Sequence, residues 1–287
     1  MTGSGGTAGP YGGPGRYEAP GVDGDPAPRG PYARHPAGGP RRPDLAGAPP
    51  EAVLFDFSGT LFDDTSVIRP ERLAARCAAR GRPLAPDRAA ELCAAVLAVV
   101  DSPEGRRRRA GADLSPERHR AVWTELAASA PGADRLVAEA FHACVTAADG
   151  WRPYPDAPGV LTALRTAGVP VAVVSNTGWD IRGSFAAAGL ADLVDAWVLS
   201  CELGVEKPAP EIFRTACAAL GVPGERALMV GDDPVKDGGA VAAGLPVHLL
   251  PAERGPDRPR GLAAVLRLTG AGPPERRPLW TSPRTVG

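Results

Sequence analysis

"AVLFDFSGTLFDD", residues 52–64, sets the reading of this chain. Four apolar residues, Ala52 to Phe55, run directly into Asp56, and Ser58-Gly59-Thr60 then supplies a turn. The pattern predicts a short buried strand that delivers one carboxylate to a loop. Four later stretches repeat the plan: "VPVAVVSN" (169–176), "DAWVLS" (195–200), "RALMVGD" (226–232) and "PVHLL" (246–250). Between them lie "WDIRGSFAAAGL", "APEIFRTACAALG" and "VKDGGAVAAGL", each apolar at helical spacing and carrying a glycine at or near its end. Continuous apolar strands that alternate with helices predict an α/β fold, a doubly wound parallel sheet of Rossmann type covered on both faces.

Residues 65–150 break the alternation. "RPERLAARCAARG", "APDRAAELCAAVLAVV", "SPERHRAVWTELAASA" and "ADRLVAEAFHACVTAA" each predict an amphipathic helix. The third has Ser115 as N-cap and Pro116 at the first helical position. A helical bundle inserted after the first strand is the expected arrangement, with the core formed by residues 51–64 and 151–269. The run "RRRR" (106–109) is assigned to a loop, where it reads as a solvated charge cluster. Residues 1–50 hold 13 Gly and 11 Pro with few aliphatic side chains, too little apolar surface to offset ordering the backbone, so a disordered tail is expected there. The stretch 270–287 reads as a second flexible tail.

Composition narrows the function classes. A net charge of -1 gives no basis for general attraction to nucleic acid or to an acidic membrane. No apolar run approaches the roughly 18 residues of a membrane span, and no basic-then-apolar leader opens the chain. The five cysteines are scattered without CxxC spacing, which suits reduced thiols and a cytoplasmic location. Of 32 basic residues only Lys207 and Lys236 are lysines.

The suggestive polar residues gather at strand ends, where open parallel sheets bind their ligands. Asp56 ends the first strand, and Ser175 and Asn176 end the second. Lys207 stands in "GVEKPAPEIF" just before a helix. Asp232, Asp233 and Asp237 follow the fourth strand in "VGDDPVKD". Three carboxylates within six residues repel one another unless a cation neutralises them.

This ordered set resembles the haloacid dehalogenase superfamily of hydrolases, in the subgroup with a helical cap between the first and second motifs. "DFSGT", "VVSN", "EKP" and "GDDPVKD" correspond to motifs one to four, and the likeness extends over about residues 52–269. The resemblance implies an aspartyl-phosphate mechanism with Asp56 as nucleophile and Mg²⁺ as cofactor. The implied metal ligands are Asp56, the Ser58 carbonyl and Asp232, with Asp233 or Asp237 in support. Ser175 and Lys207 would bind the transferring phosphoryl group, and Ser58, Gly59 and Asn176 join them in the implied phosphate pocket. The expected substrate is a small phosphorylated metabolite.

One position departs from the family pattern. Its phosphatases usually carry an aspartate two positions after the nucleophile, which protonates the leaving oxygen, and here that position is Ser58. A hydroxyl is too weak an acid for that task, and losing a general acid lowers rate by about 10²–10⁴-fold. A substrate with a good leaving group, a proton supplied from elsewhere, or a slow or inactive site all remain open. His119 and His142 in the helical insert are candidate proton carriers, and Trp179 is a candidate substrate-stacking residue. The insert contains no lysine, which disfavours the Schiff-base phosphonate-cleaving branch. The alternatives to a phosphohydrolase are a metal-independent dehalogenase-like hydrolase and a phosphate-binding regulatory protein.

Overall fold

The computed structural model describes residues 48–272, so the expectations for the two tails fall almost wholly outside the described residues. In chain order the elements are β1 (Ala52–Phe55), β2 (Phe62–Asp63), α1 (Pro70–Ala78), α2 (Pro86–Val100), α3 (Pro103–Arg109), α4 (Pro116–Ala128), α5 (Arg135–Val145) and β3 (Arg152–Pro153). Then follow α6 (Ala157–Thr166), β4 (Val171–Ser175), α7 (Arg182–Ala187), β5 (Ala196–Leu199), α8 (Ser200–Leu203), α9 (Pro210–Leu220), β6 (Ala227–Gly231), β7 (Val247–Leu249) and α10 (Ala263–Thr269).

Five strands form one parallel sheet in the order β5-β4-β1-β6-β7. The chain builds outward from β1 through β4 to β5, then crosses back to lay β6 and β7 on the other side. The order therefore reverses beside β1, and Asp56 leaves the sheet at that switch point. The period of two along each strand explains why the central runs are apolar throughout. Val53, Phe55, Val173 and Val230 pack on one face with Leu161 and Leu164 of α6. Ala52, Leu54, Val174 and Met229 pack on the other with Ile212, Phe213 and Ala216 of α9.

Helices α1, α2, α4 and α5 bury a separate cluster that includes Leu73, Leu92, Val96, Leu126, Val137 and Phe141. The chain enters and leaves this insert through a two-stranded antiparallel ladder, Phe62 opposite Pro153 and Asp63 opposite Arg152. Ser115 caps α4 by accepting from the Arg118 N–H at 3.2 Å, as its sequence signal predicts.

Two local expectations are corrected. The four arginines belong to helix α3, not a loop. Ser102 caps it by accepting from the Gly105 N–H at 2.9 Å, Pro103 opens it, and arginine propagates a helix well. The charges are distributed among partners: Arg107 meets Glu104 at 2.5 Å, Arg108 meets Glu125 at 2.6 Å, and Arg109 stacks 4.9 Å above the Trp123 ring. The stretch "VKDGGAVAAGL" holds only a 3₁₀ turn, Gly238–Ala243. Gly238 and Gly239 weaken an α-helix there, and a Cβ on Gly239 would stand 2.4 Å from Pro208.

Candidate active site

The loop after β1 is wound tightly around its own carbonyls. Leu61 and Phe62 both donate their N–H to the Phe57 carbonyl, at 3.0 and 2.9 Å, and Gly59 donates to the Phe62 carbonyl at 2.8 Å. Gly59 sits at φ +78°, and a Cβ there would lie 2.7 Å from an Asp232 carboxylate oxygen. Glycine is needed both for the backbone angle and for that close approach. Because its N–H is already taken by the Phe62 carbonyl, Gly59 offers space beside Asp232 and not a donor.

Lys207 is the centre of the site. Its side chain is 2% exposed, and its ammonium donates to Asp56 Oδ1 at 2.6 Å and to Asp237 Oδ1 at 2.7 Å. Asn176 fixes the backbone beneath it: the Asn176 amide donates to the Lys207 carbonyl at 3.0 Å and its oxygen accepts the Lys207 N–H at 2.7 Å. Both ends of the Asn176 amide are thereby engaged with Lys207, so it orients the lysine loop. Ser175 ends β4 buried, and no hydrogen bond to its hydroxyl occurs among the described residues.

The acidic loop after β6 separates its carboxylates by task. Asp237, 1% exposed, accepts Lys207 on one oxygen and the N–H groups of Asp232 and Asp233 on the other, at 2.9 and 3.0 Å. It is held by these three donors and holds the loop in return. Asp233 turns away. Its Oδ1 accepts from the N–H groups of Val235 and Lys236, at 2.9 and 3.0 Å, closing a turn on the protein's outer side. Asp56, Asp232 and Asp237 each bring a carboxylate oxygen within 4.8 Å of the others, and Asp233 does not join them. Between Asp233 and Asp237, the geometry favours Asp237 as the supporting acid.

The electrostatics call for a further cation. Burial pushes the Asp56 carboxyl up to about 7, against the pull of Lys207, and the charges of Asp237 and Asp232 push the same way. Burial also raises Asp232, with Arg254 opposing. Lys207 would be lowered by its own burial, yet Asp56 and Asp237 hold it above the ordinary lysine range. Lys207 is the one buried cation in contact with Asp56 and Asp237, Asp232 has only the partly exposed Arg254 beside it, and the free donors are hard oxygens. Such a set fits Mg²⁺.

Three residues that sequence reasoning missed adjoin this cluster. Thr60 points its hydroxyl at Asp232 across a long 3.4 Å contact. Arg254 lies 3.3 Å from Asp232 Oδ2, and Arg260 donates to the Gly59 carbonyl at 2.7 Å. Thr60 was visible in the motif itself. The two arginines had no usable signal, because arginine abounds in this chain and "PAERGPDRPRG" (251–261) has no periodicity.

The histidines lie elsewhere. His119 is fully buried and its Nδ1 is 3.1 Å from His142 Nε2. Burial lowers them to about 3 and about 4, so both are neutral near pH 7. His119 packs between Trp123 and Trp179, with ring centroids at 5.3 and 5.1 Å, and Trp179 also meets Trp151. Trp179 thus serves a packed aromatic cluster between the insert and the loop after β4.

A nucleophile-type carboxylate at the switch point, a lysine bridging it to the acids after β6, and a helical insert after β1 match one family in order and in space. The profile of the haloacid dehalogenase-like hydrolases matches residues 50–244. This chain belongs to that family. Among its relatives, a phosphoserine phosphatase of Thermus thermophilus is 39% identical over 114 residues, 39% of this chain but only 45% of the relative. A ribulose-1,5-bisphosphate 5-phosphatase of Halopiger xanaduensis is 30% identical over 214 residues, 68% of this chain and 82% of the relative. Among solved structures, a dehalogenase with an intermediate complex superposes with a TM-score of 0.57 at 20% identity, covering 77% of this chain and 98% of that one. This hydrolase therefore has a phosphatase-like enzyme's family, fold and acidic cluster, and no helix among its described residues is long and apolar enough to cross a membrane.

Proposed function

We propose that this hydrolase is a Mg²⁺-dependent, cytoplasmic phosphohydrolase that acts on a small phosphorylated metabolite through an aspartyl-phosphate on Asp56. The observation that carries the reading is the undercompensated cluster of Asp56, Asp232 and Asp237 around Lys207. A dehalogenase attacks carbon and has no use for a metal cation in addition to the lysine beside its nucleophile; a carboxylate approaching a phosphate dianion does. Asp56, the Ser58 carbonyl and Asp232 would hold the ion, with Asp237 fixing the loop behind it. When bound, Mg²⁺ supplies screening between the attacking carboxylate and the phosphoryl oxygens.

The chain's own residues then divide the work. Lys207 holds one Asp56 oxygen, and the other, with no protein hydrogen bond among the described residues, is free to attack phosphorus. As that oxygen–phosphorus bond forms, the bond from phosphorus to the leaving oxygen breaks. Lys207 and the Ser175 hydroxyl stabilise the charge that spreads over the phosphoryl oxygens. The leaving oxygen departs without a proton from residue 58, because Ser58 cannot supply one. Water later cleaves the aspartyl-phosphate and releases inorganic phosphate. The scheme favours acyl phosphates and anhydrides, whose leaving groups are stable anions, over simple monoesters.

The test is phosphate release from monoesters, acyl phosphates and nucleotides, with Mg²⁺ and with EDTA. Asp56→Asn should abolish release. Ser58→Asp should raise monoester hydrolysis by about 10²-fold, the lower end of a general acid's contribution. Equal phosphate release in EDTA would sink the Mg²⁺ requirement, and no phosphate release from any substrate, with halide release from a 2-haloacid in EDTA, would favour attack on carbon. Metal-dependent phosphate capture on Asp56 without turnover would favour a binding role.

A further inference from the structure

Arg254 touches the same carboxylate that the proposed ion would use. Its Nη1 donates to Asp64 Oδ2 at 2.8 Å and lies 3.3 Å from Asp232 Oδ2. A Cβ on Gly59 would stand 2.6 Å from the same nitrogen, so the guanidinium rests directly on the turn after Asp56. The side chain is 35% exposed, at the solvent side of a cluster whose other cation, Lys207, is buried.

This placement is built and not incidental. The buried Arg260 donates from Nε to the Gly59 carbonyl at 2.7 Å and from Nη1 to the Glu253 carbonyl at 2.7 Å. One planar guanidinium thus ties the turn that follows the nucleophile to the residue immediately before Arg254. Asp156 secures the far end of the segment, accepting from the N–H groups of Arg260, Gly261 and Leu262 at 2.8–3.0 Å.

We infer that Arg254 is a displaceable internal counter-ion of Asp232. In the metal-free protein it partly neutralises the carboxylate; when a divalent cation binds, Arg254 yields Asp232 and stays tethered to Asp64. The charges support an exchange. Asp56, Asp64, Asp232 and Asp237 face Lys207 and Arg254, with the buried Arg260 behind the turn, so carboxylates still outnumber the cations around them. Arg254 and the ion cannot both sit on Asp232 Oδ2 without like-charge repulsion. Arg254 is therefore a positioning residue that sets how tightly the site takes its metal, and it leaves a freed guanidinium beside the turn. The inference rests on the divalent-metal reading above.

Mg²⁺ titration by calorimetry of the full chain tests it, without reference to turnover. Arg254→Met and Arg254→Gln should each bind Mg²⁺ about five- to tenfold more tightly than the wild type, the scale of losing one like charge at a partly solvated site. Arg254→Lys should stay within about twofold of the wild type, because it keeps the charge. Both neutral variants should unfold at lower temperature in EDTA and recover more on adding Mg²⁺ than the wild type does. An unchanged or weakened Mg²⁺ affinity in both neutral variants, with the wild type binding, overturns the counter-ion role alone. If neither wild type nor variants bind Mg²⁺, the metal reading fails and this inference falls with it.

Discussion

Replacing Lys207 with methionine tests the centre of the site through stability alone. Methionine keeps the reach and removes the charge, leaving Asp56 and Asp237, 8% and 1% exposed, facing each other with no ammonium between them. Removing one partner of a buried ion pair costs about 3–5 kcal/mol. Protonation limits the damage: Asp56 already sits at about 7 with Lys207 beside it, and without Lys207 it moves higher and takes up a proton near neutrality. The lower figure, about 3 kcal/mol at pH 8, is therefore expected, or a fall in Tm of about 6–12 °C for a domain of this size. The sign of the pH dependence follows. A carboxyl raised above its unfolded value of 3.8 contributes stability at low pH that disappears as pH rises through the folded value. The variant's Asp56 carboxyl is raised further than the wild type's, so the gap should widen from pH 6 to pH 8.5. Urea unfolding of both proteins in EDTA buffer across that range measures it. A gap under about 1 kcal/mol at pH 8, or one that narrows as pH rises, would refute the claim that Lys207 compensates these acids.

Further expectations concern the rest of the molecule. His119 and His142 are lowered to about 3 and about 4 from 6.5, chiefly by burial, so the unfolded chain binds more protons than the folded one below pH 6.5. Stability should fall between pH 6.5 and 4.5 by up to about 1.4 kcal/mol per pH unit per histidine, and His119→Gln with His142→Gln should flatten that slope in urea unfolding. Gly178→Ala would place a Cβ 2.1 Å from His119 Cβ, in the packing between the insert and the loop after β4. A loss of about 1–3 kcal/mol is expected by thermal or urea unfolding. Gly159→Ala, inside α6 with nothing within 4 Å of the new Cβ, should instead gain about 0.5–1 kcal/mol in the same assay.

Much of this architecture was legible in the residue order because the signals are local. A strand between two helical layers must be apolar on both sides, so "AVLF", "VAVVS" and "ALMVG" announced themselves. Serine and proline at a helix start act within one turn, so Ser115 was readable. Ser102-Pro103 carried the same signal before the arginine run, and there the charge density obscured a capped helix. The glycine pair at 238–239 shows the opposite error, since apolar spacing alone did not reveal that their missing side chains make room for Pro208.

By itself, the sequence determined which residue types end which strands, and in a parallel sheet that places Asp56, Ser175 and the acids after β6 at one edge. Only the tertiary structure divided their labour. It turned Asp233 outward to close its own turn, gave Asp237 to Lys207 and two backbone donors, and committed Asn176 to the lysine loop. It also brought Arg254 and Arg260 onto the turn after Asp56, from nearly two hundred residues away along the chain. The reason is physical: periodicity and capping are encoded within a few residues, whereas charge compensation in a buried site depends on distances that exist only once the sheet has assembled.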